Sequence, residues 1–424
     1  MRFDTKLIHA ANPPDAGSGD TTTPIHQTAA YAYDSAAELE SVFAGKAPGY
    51  VYSRLGNPTL TRLEQRLAAI EGGRAALVSA SGMAALTGTI MTLAQAGDEI
   101  VAATSIFGGT YSLLNRTLRR CGITPVFVDP LDPTAIDDAV SEKTRLVIVE
   151  TIGNPKLDVP DIAEIAAVTR RHQVALLVDS TATTPCLVQP ISLGADIVLH
   201  STSKYLSGNG SCIGGAIIDS GNFSWPAERY GELRKEFGKF GQFAFTAALR
   251  GWIHRDLGGC LSPFNAFLIS LGLDTLGVRM RQQCETAAKL AAELARDERL
   301  EEVNYPGLPA HPGHQTARCQ FNQQFGALLT LRLGSKERAF KFLDGLQSIL
   351  QLTNLGDVKT LAIHPASTFA RDADPDERRQ MGITEDLVRL SIGLEDAEDL
   401  LADIGQSLEG LSYQGRCSRS SKSL

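Results

Sequence analysis

Two short segments constrain this chain more than any other feature. Leu176-Leu177-Val178-Asp179-Ser180-Thr181 and Leu199-His200-Ser201-Thr202-Ser203-Lys204-Tyr205 each begin apolar and end polar. A short apolar run of this kind fits a strand buried on both faces. The first segment delivers one carboxylate at its end, the second one lysine flanked by hydroxyls. Ligands of parallel α/β sheets lie beyond the strand C-termini. An Asp and a Lys placed there can grip opposite sides of a pyridoxal phosphate ring. The lysine forms the Schiff base, and the aspartate pairs with the pyridinium nitrogen so that the ring acts as an electron sink. The pair points to an enzyme of amino-acid metabolism.

The surrounding texture supports such a sheet. Strand-like runs occur at Ala75–Ser79, Glu99–Ala103, Thr124–Val128, Arg145–Glu150, Val174–Val178 and Asp196–Leu199. Helix-like stretches, Met83–Gln95, Tyr111–Arg120, Thr134–Val140 and Ile162–Arg171, separate several of them. This alternation predicts a mostly parallel sheet covered on both faces. Residues 1–60 lack a periodic apolar pattern and read as an extended arm. Residues 220–259 break the rhythm with aromatics and mixed charge, and predict a long functional or interface loop. From Pro263 an amphipathic helical stretch runs to about Arg296 and leads into a smaller C-terminal α/β region. Its strands are expected at Leu328–Leu333 and Leu387–Ile392. The expected division is an arm over 1–60, a cofactor domain over 61–272, a C-terminal domain over 273–413 and a disordered polar tail over 414–424.

Composition narrows the class. A net charge of −8 over 424 residues argues against nucleic acid as the main partner. No apolar run approaches the ~18 residues of a membrane span, and the N-terminus lacks the apolar core of a signal peptide. The seven cysteines are scattered and form no Cys-x-x-Cys, as expected of reduced thiols in a cytoplasmic protein. His311-Pro312-Gly313-His314 is the nearest approach to metal-ligand spacing. Its Pro-Gly centre favours a turn, and no metal is expected.

Other candidates gather around the cofactor. Ser201 and Ser203 offer hydroxyls suited to a phosphate dianion, and Gly208, Gly210, Gly214 and Gly215 read as flexible backbone beside a ligand. Ser81-Gly82-Met83 lies between a strand and a helix, where free N–H groups and the helix dipole suit a phosphate. The same residues also suit an ordinary N-cap. Tyr52 and Arg54 in the arm either reach a phosphate in another subunit or form a surface turn. Arg389 matches a carboxylate bidentately, so it suits a substrate α-carboxylate or a structural salt bridge. Cys212, close to Lys204, reads as a small core residue.

From Thr23-Pro24-Ile25-His26-Gln27-Thr28 to Arg389–Glu395 the chain resembles the Cys/Met-metabolism family of fold-type I pyridoxal-phosphate enzymes. The most specific stretches are Tyr52–Thr59, Ser81–Met83, Ser201–Lys204, Leu261–Ala266, Tyr305–Leu308 and Asn354–Ser367. The resemblance implies an α/β fold with a large, mostly parallel seven-stranded sheet domain and a smaller C-terminal α/β domain. It implies that Lys204 is the Schiff-base lysine and proton shuttle, and that Asp179 binds the ring nitrogen. Asn154 would lie near the ring's phenolic oxygen and the substrate. Ser81, Gly82, Met83, Ser201 and Ser203 would hold the phosphate, with Tyr52 and Arg54 donated by a neighbouring subunit. Arg389 would bind the substrate carboxylate beside Asn354. A homo-oligomer is implied, a dimer of dimers in the family's usual form.

The insertion after Asp219 and the run Arg255-Asp256-Leu257-Gly258-Gly259 resemble the O-acetylhomoserine sulfhydrylase branch. That implies γ-replacement on O-acetyl-L-homoserine by sulfide or a small thiol. A γ-lyase and a cystathionine γ-synthase are the alternatives. Phe107 stands at the catalytic position where most members carry a tyrosine stacked on the ring; it can stack but moves no proton. Phe369-Ala370, Ser180 and Ala182 also depart from the family pattern.

Overall fold

Seven strands form the central sheet of the computed structural model, which describes residues 1–14, 17 and 19–417, with 412–417 by backbone alone. They are β1 (Ala75–Ser79), β2 (Glu99–Ala103), β3 (Thr124–Val128), β4 (Thr144–Glu150), β5 (Ala175–Asp179), β6 (Ile197–His200) and β7 (Gly215–Asp219). Their order is β1-β7-β6-β5-β4-β2-β3. Neighbours from β6 to β3 are parallel, and β7 runs antiparallel to both β1 and β6. The central strands have no polar face: Val147, Ile148 and Val149 of β4 and Leu176, Leu177 and Val178 of β5 are all buried. Such strands need helices on both sides. Ile162–Arg171 is one, with Ile162, Ile165, Ala166 and Thr169 buried along one stripe and Asp161 accepting from the Glu164 amide at its start. In register, Glu150 pairs with Asp179 and Asp179 with Leu199, so the C-terminal ends of β4, β5 and β6 are level.

A second sheet holds β8 (Glu302–Asn304), β9 (Leu328–Arg332), β10 (Leu350–Gln351), β11 (Leu361–Ile363) and β12 (Leu387–Ser391), in the order β10-β11-β12-β9-β8. β9 and β12 are the two expected strands. The other three span two or three residues, too few to print a periodic pattern. Among the described residues no helix is long and apolar enough to cross a membrane.

Five expectations need correction. β7 is a strand where the sequence suggests only flexible glycine-rich backbone. Gly215 instead serves close packing, because a Cβ there would lie 2.2 Å from the Ser81 carbonyl oxygen. Residues 220–259 are not a loop: Ala227–Phe237, Ala244–Leu249 and shorter turns of helix fill them. The aromatics that suggested a loop are this segment's own core. Trp225 stacks on Phe245 at 5.1 Å and meets Tyr230 edge-on at 5.2 Å. The Tyr230 hydroxyl donates to Arg145 O at 2.7 Å and accepts from the Ala175 amide, clamping the segment to the sheet. The helical stretch from Pro263 breaks at Thr275 into Pro263–Asp274 and Leu276–Leu294. There Arg279 donates to the Gly272 carbonyl and the Thr275 hydroxyl, replacing helix bonds lost at the break. The arm is not wholly extended, since Phe3–His9 and Ala36–Phe43 are helical and Leu7 is buried in the core. Finally, the last helix runs Ala397–Cys417, so the tail expected from 414 starts inside it; 418–424 lie outside the described residues.

His311 and His314 hold a turn. His311 Nδ1 accepts from the Gly313 amide at 3.0 Å, and His314 Nδ1 meets Pro306 O at 2.9 Å.

Candidate active site

Beyond the ends of β4, β5 and β6 lies a cavity of about 890 Å³, closed from the other side by residues of the second sheet and its loops. Ser81, Gly82, Met83, Phe107, Asn154, Asp179, Ser201, Ser203, Lys204, Asn354 and Arg389 all line it. They come from seven separate stretches of chain, so the fold brings them together rather than any local sequence.

Lys204 follows β6 and points its Nζ at Asn354 Oδ1, 2.5 Å away. Burial and the nearby Arg389 charge push its ammonium down to about 8. Asp179 ends β5 and accepts from the Thr181 amide at 2.9 Å. Burial holds its carboxyl above the usual range, against the Thr181 hydrogen bonds and the His200 charge. Arg389 of β12 is 4% exposed, yet among the described residues it forms no ion pair. Its Nη1 donates to Asn154 Oδ1 at 2.9 Å and its Nη2 to Asn354 O at 2.8 Å, while Nε has no partner. Burial pushes it down to about 10. The Phe369 ring lies against this guanidinium at 5.6 Å.

At the opposite end, the helix Gly82–Leu93 opens onto the cavity, with the Ser81 hydroxyl accepting from the Ala84 amide. Ser81-Gly82-Met83 is therefore an N-cap, and it also lines the cavity. A Cβ on Gly82 would come 3.0 Å from the Ser201 Cβ, so glycine lets the helix start close on Ser201. The Ser203 hydroxyl is already engaged, donating to Gly214 O and accepting from the Gly214 amide. Cys212 also lines the cavity, and burial holds its thiol up, which disfavours a nucleophilic role.

Tyr52 and Arg54 do not reach this cavity. Tyr52 bridges Ala30 and is exposed. Arg54 donates to Arg255 O at 2.5 Å and lies over the Tyr52 ring. Glu150 and Thr181 also line the cavity, beyond the residues the sequence marks as candidates. Glu150 carried the signal that exposed Asp179, a carboxylate at the end of an apolar strand. Thr181 followed Asp179 in the same polar cluster.

The donor set fits pyridoxal phosphate. Asp179 has no cation of the chain paired with it among the described residues, as a carboxylate reserved for a pyridinium requires. Lys204 supplies a low-pKa amine, and the helix start at Gly82 with Ser201 supplies donors for a phosphate. Arg389, with its unpartnered buried Nε, adds a demand for a carboxylate.

The comparisons agree with this geometry. The model of the family described as Cys/Met metabolism PLP-dependent enzyme matches residues 4–409. The O-acetyl-L-homoserine sulfhydrylase of Leptospira meyeri is 40% identical, covering 96% of this chain and 97% of its own. O-acetyl-L-homoserine sulfhydrylase 1 of Thermus thermophilus is 42% identical, covering 96% and 100%. Among solved structures, a Campylobacter jejuni protein carrying N'-pyridoxyl-lysine-5'-monophosphate superposes with a TM-score of 0.91. It is 34% identical and covers 96% of this chain and 100% of its own. The chain belongs to the Cys/Met-metabolism family of pyridoxal-phosphate-dependent enzymes.

Proposed function

We propose that this enzyme catalyses γ-replacement on O-acetyl-L-homoserine, with sulfide or a small thiol entering and acetate leaving. The product is homocysteine or a homologue. The observation that carries the reading is the coupling of Lys204 and Arg389 through Asn354, an amine and a carboxylate clamp set for one α-amino acid. The two relatives named O-acetyl-L-homoserine sulfhydrylase, similar over 96% of this chain, support the choice of substrate.

Pyridoxal phosphate, when bound, supplies the electron sink that makes protons next to the substrate's amino carbon removable. Arg389, held by Asn154 and Asn354, takes the substrate α-carboxylate as a fork. Lys204 Nζ, tuned to about 8, takes the α-proton, gives it up to the bound cofactor–substrate system, and only then, neutral again, takes the β-proton; the same amine carries protons back to both carbons at the end. Phe107 offers an apolar face and no proton, so that work stays on Lys204. The γ C–O bond breaks with its electron pair going to acetate, a weak base that needs no acid to leave. The entering sulfur forms the new C–S bond at the same carbon. Asp179 holds the ring nitrogen, and the Gly82 helix start with Ser201 holds the phosphate.

Tyr52 and Arg54 complete the phosphate site from a neighbouring copy, in a homo-oligomer built from dimers and in full form a dimer of dimers. Their separation from the cavity of their own chain supports this. The free thiols of the described cysteines support a cytoplasmic setting. The arm over 1–60, cofactor domain over 61–272 and C-terminal domain over 273–413 remain our division of the chain.

The test is mass-spectrometric product analysis with O-acetyl-L-homoserine, with and without sulfide. Homocysteine and acetate formed only with sulfide support the reading. A 2-oxo acid and ammonia formed without sulfide would make the enzyme a γ-lyase.

A further inference from the structure

Glu150 ends β4 as Asp179 ends β5, and the two are register partners. Glu150 lines the cavity but is only 7% exposed, and no cation pairs with it among the described residues. Burial and the Asp179 charge both hold its carboxyl well above the usual range. A buried carboxylate without a counter-ion costs stability, and an apolar side chain of similar size would cost less. Its oxygens have specific work. Oε1 accepts from the Phe107 amide at 2.7 Å and Oε2 from the Asn154 amide at 3.2 Å. Phe107 comes from the loop after β2, Asn154 from the turn after β4 itself. Asn154 Oδ1 in turn accepts from Arg389, Arg389 donates to Asn354 O, and Asn354 Oδ1 accepts from Lys204. One carboxyl group thus anchors Phe107, which lines the cavity, and Asn154, which supports the Arg389 clamp.

We propose that Glu150 is a positioning residue: its two oxygens set the Phe107 face of the cofactor site and the Asn154 support of Arg389 together. The proposal rests on the cofactor occupying this cavity and not on which amino acid is the substrate, so the cofactor itself is the readout. Glu150→Gln keeps the shape but turns one oxygen into an NH2 group that faces a backbone N–H. Losing one of the two backbone hydrogen bonds at this site weakens pyridoxal phosphate binding by about tenfold. The visible circular dichroism per bound cofactor should also fall, because the ring is less firmly oriented. Both are measured beside the melting temperature of the cofactor-free protein. A lowered melting temperature with wild-type affinity and wild-type visible dichroism would mean that Glu150 is only structural, and would overturn the proposal. Glu150→Asp keeps the carboxyl group but is one methylene too short to reach both amides, so it should show the same two losses. Failure of both variants to fold would also count against the proposal.

Discussion

The Lys204 amine, half-buried against Asn354 and near the Arg389 charge, is pushed down to about 8. Burial and a like charge both favour the neutral form. Capture of pyridoxal phosphate by the cofactor-free enzyme should therefore accelerate as pH rises through about 8 and level off above it. A rate still climbing towards pH 10 would contradict this. Arg389→Leu removes a buried fork that the substrate carboxylate would need, so KM should rise on the order of 100-fold. Arg389→Lys should recover little of it, because an ammonium cannot make two parallel bonds; initial-rate kinetics on both variants would decide. Asp179 and Lys204 were legible because each ends an apolar run among hydroxyls. Glu150 obeyed the same rule, but Thr151-Ile152-Gly153 follow it and no polar cluster marked it. The engagement of Ser203 with Gly214 was invisible, since the two lie eleven residues apart and meet only when β7 pairs with β6.

The segment over 220–259 gains its order from packing rather than from period. Phe245 is fully buried against Trp225, and Tyr230 ties the same cluster to β4 and β5. Phe245→Ala should cost about 3–5 kcal/mol, the usual range for deleting a buried aromatic. Denaturant unfolding would measure it, and a loss below 1 kcal/mol would mean that the cluster does not hold this segment. The parallel strands were readable because burial on both faces makes each one a continuous apolar run. The helices of 220–259 were not, because aromatics that close on one another over twenty residues leave no 3.6-residue stripe. β8, β10 and β11 were missed for a simpler reason: two or three residues carry no pattern.

Among the described residues a cavity of about 890 Å³ lies between the two sheets, and a single chain supplies every proposed cofactor contact except Tyr52 and Arg54. If those two act across a subunit boundary, two inactive variants should repair each other. Lys204→Ala lacks the amine and Arg54→Ala lacks the donated guanidinium, so a mixed dimer contains one site with neither defect. Mixing after dissociation should return part of the activity, and mixtures that stay as inactive as the parents would place Arg54 elsewhere. The large sheet followed from sequence, and so did the meeting of Asp179 and Lys204 at one cavity, because strand-end chemistry is local. The joining of Arg389 to Lys204 through Asn354 did not, because it depends on how the second sheet seats on the first.

The most direct test of the account is to reduce the pyridoxal-phosphate-loaded enzyme with borohydride and map the modified peptide by mass spectrometry. One pyridoxyl group per chain, on Lys204, is expected. A group mapped to any other lysine, or none retained at all, would contradict it.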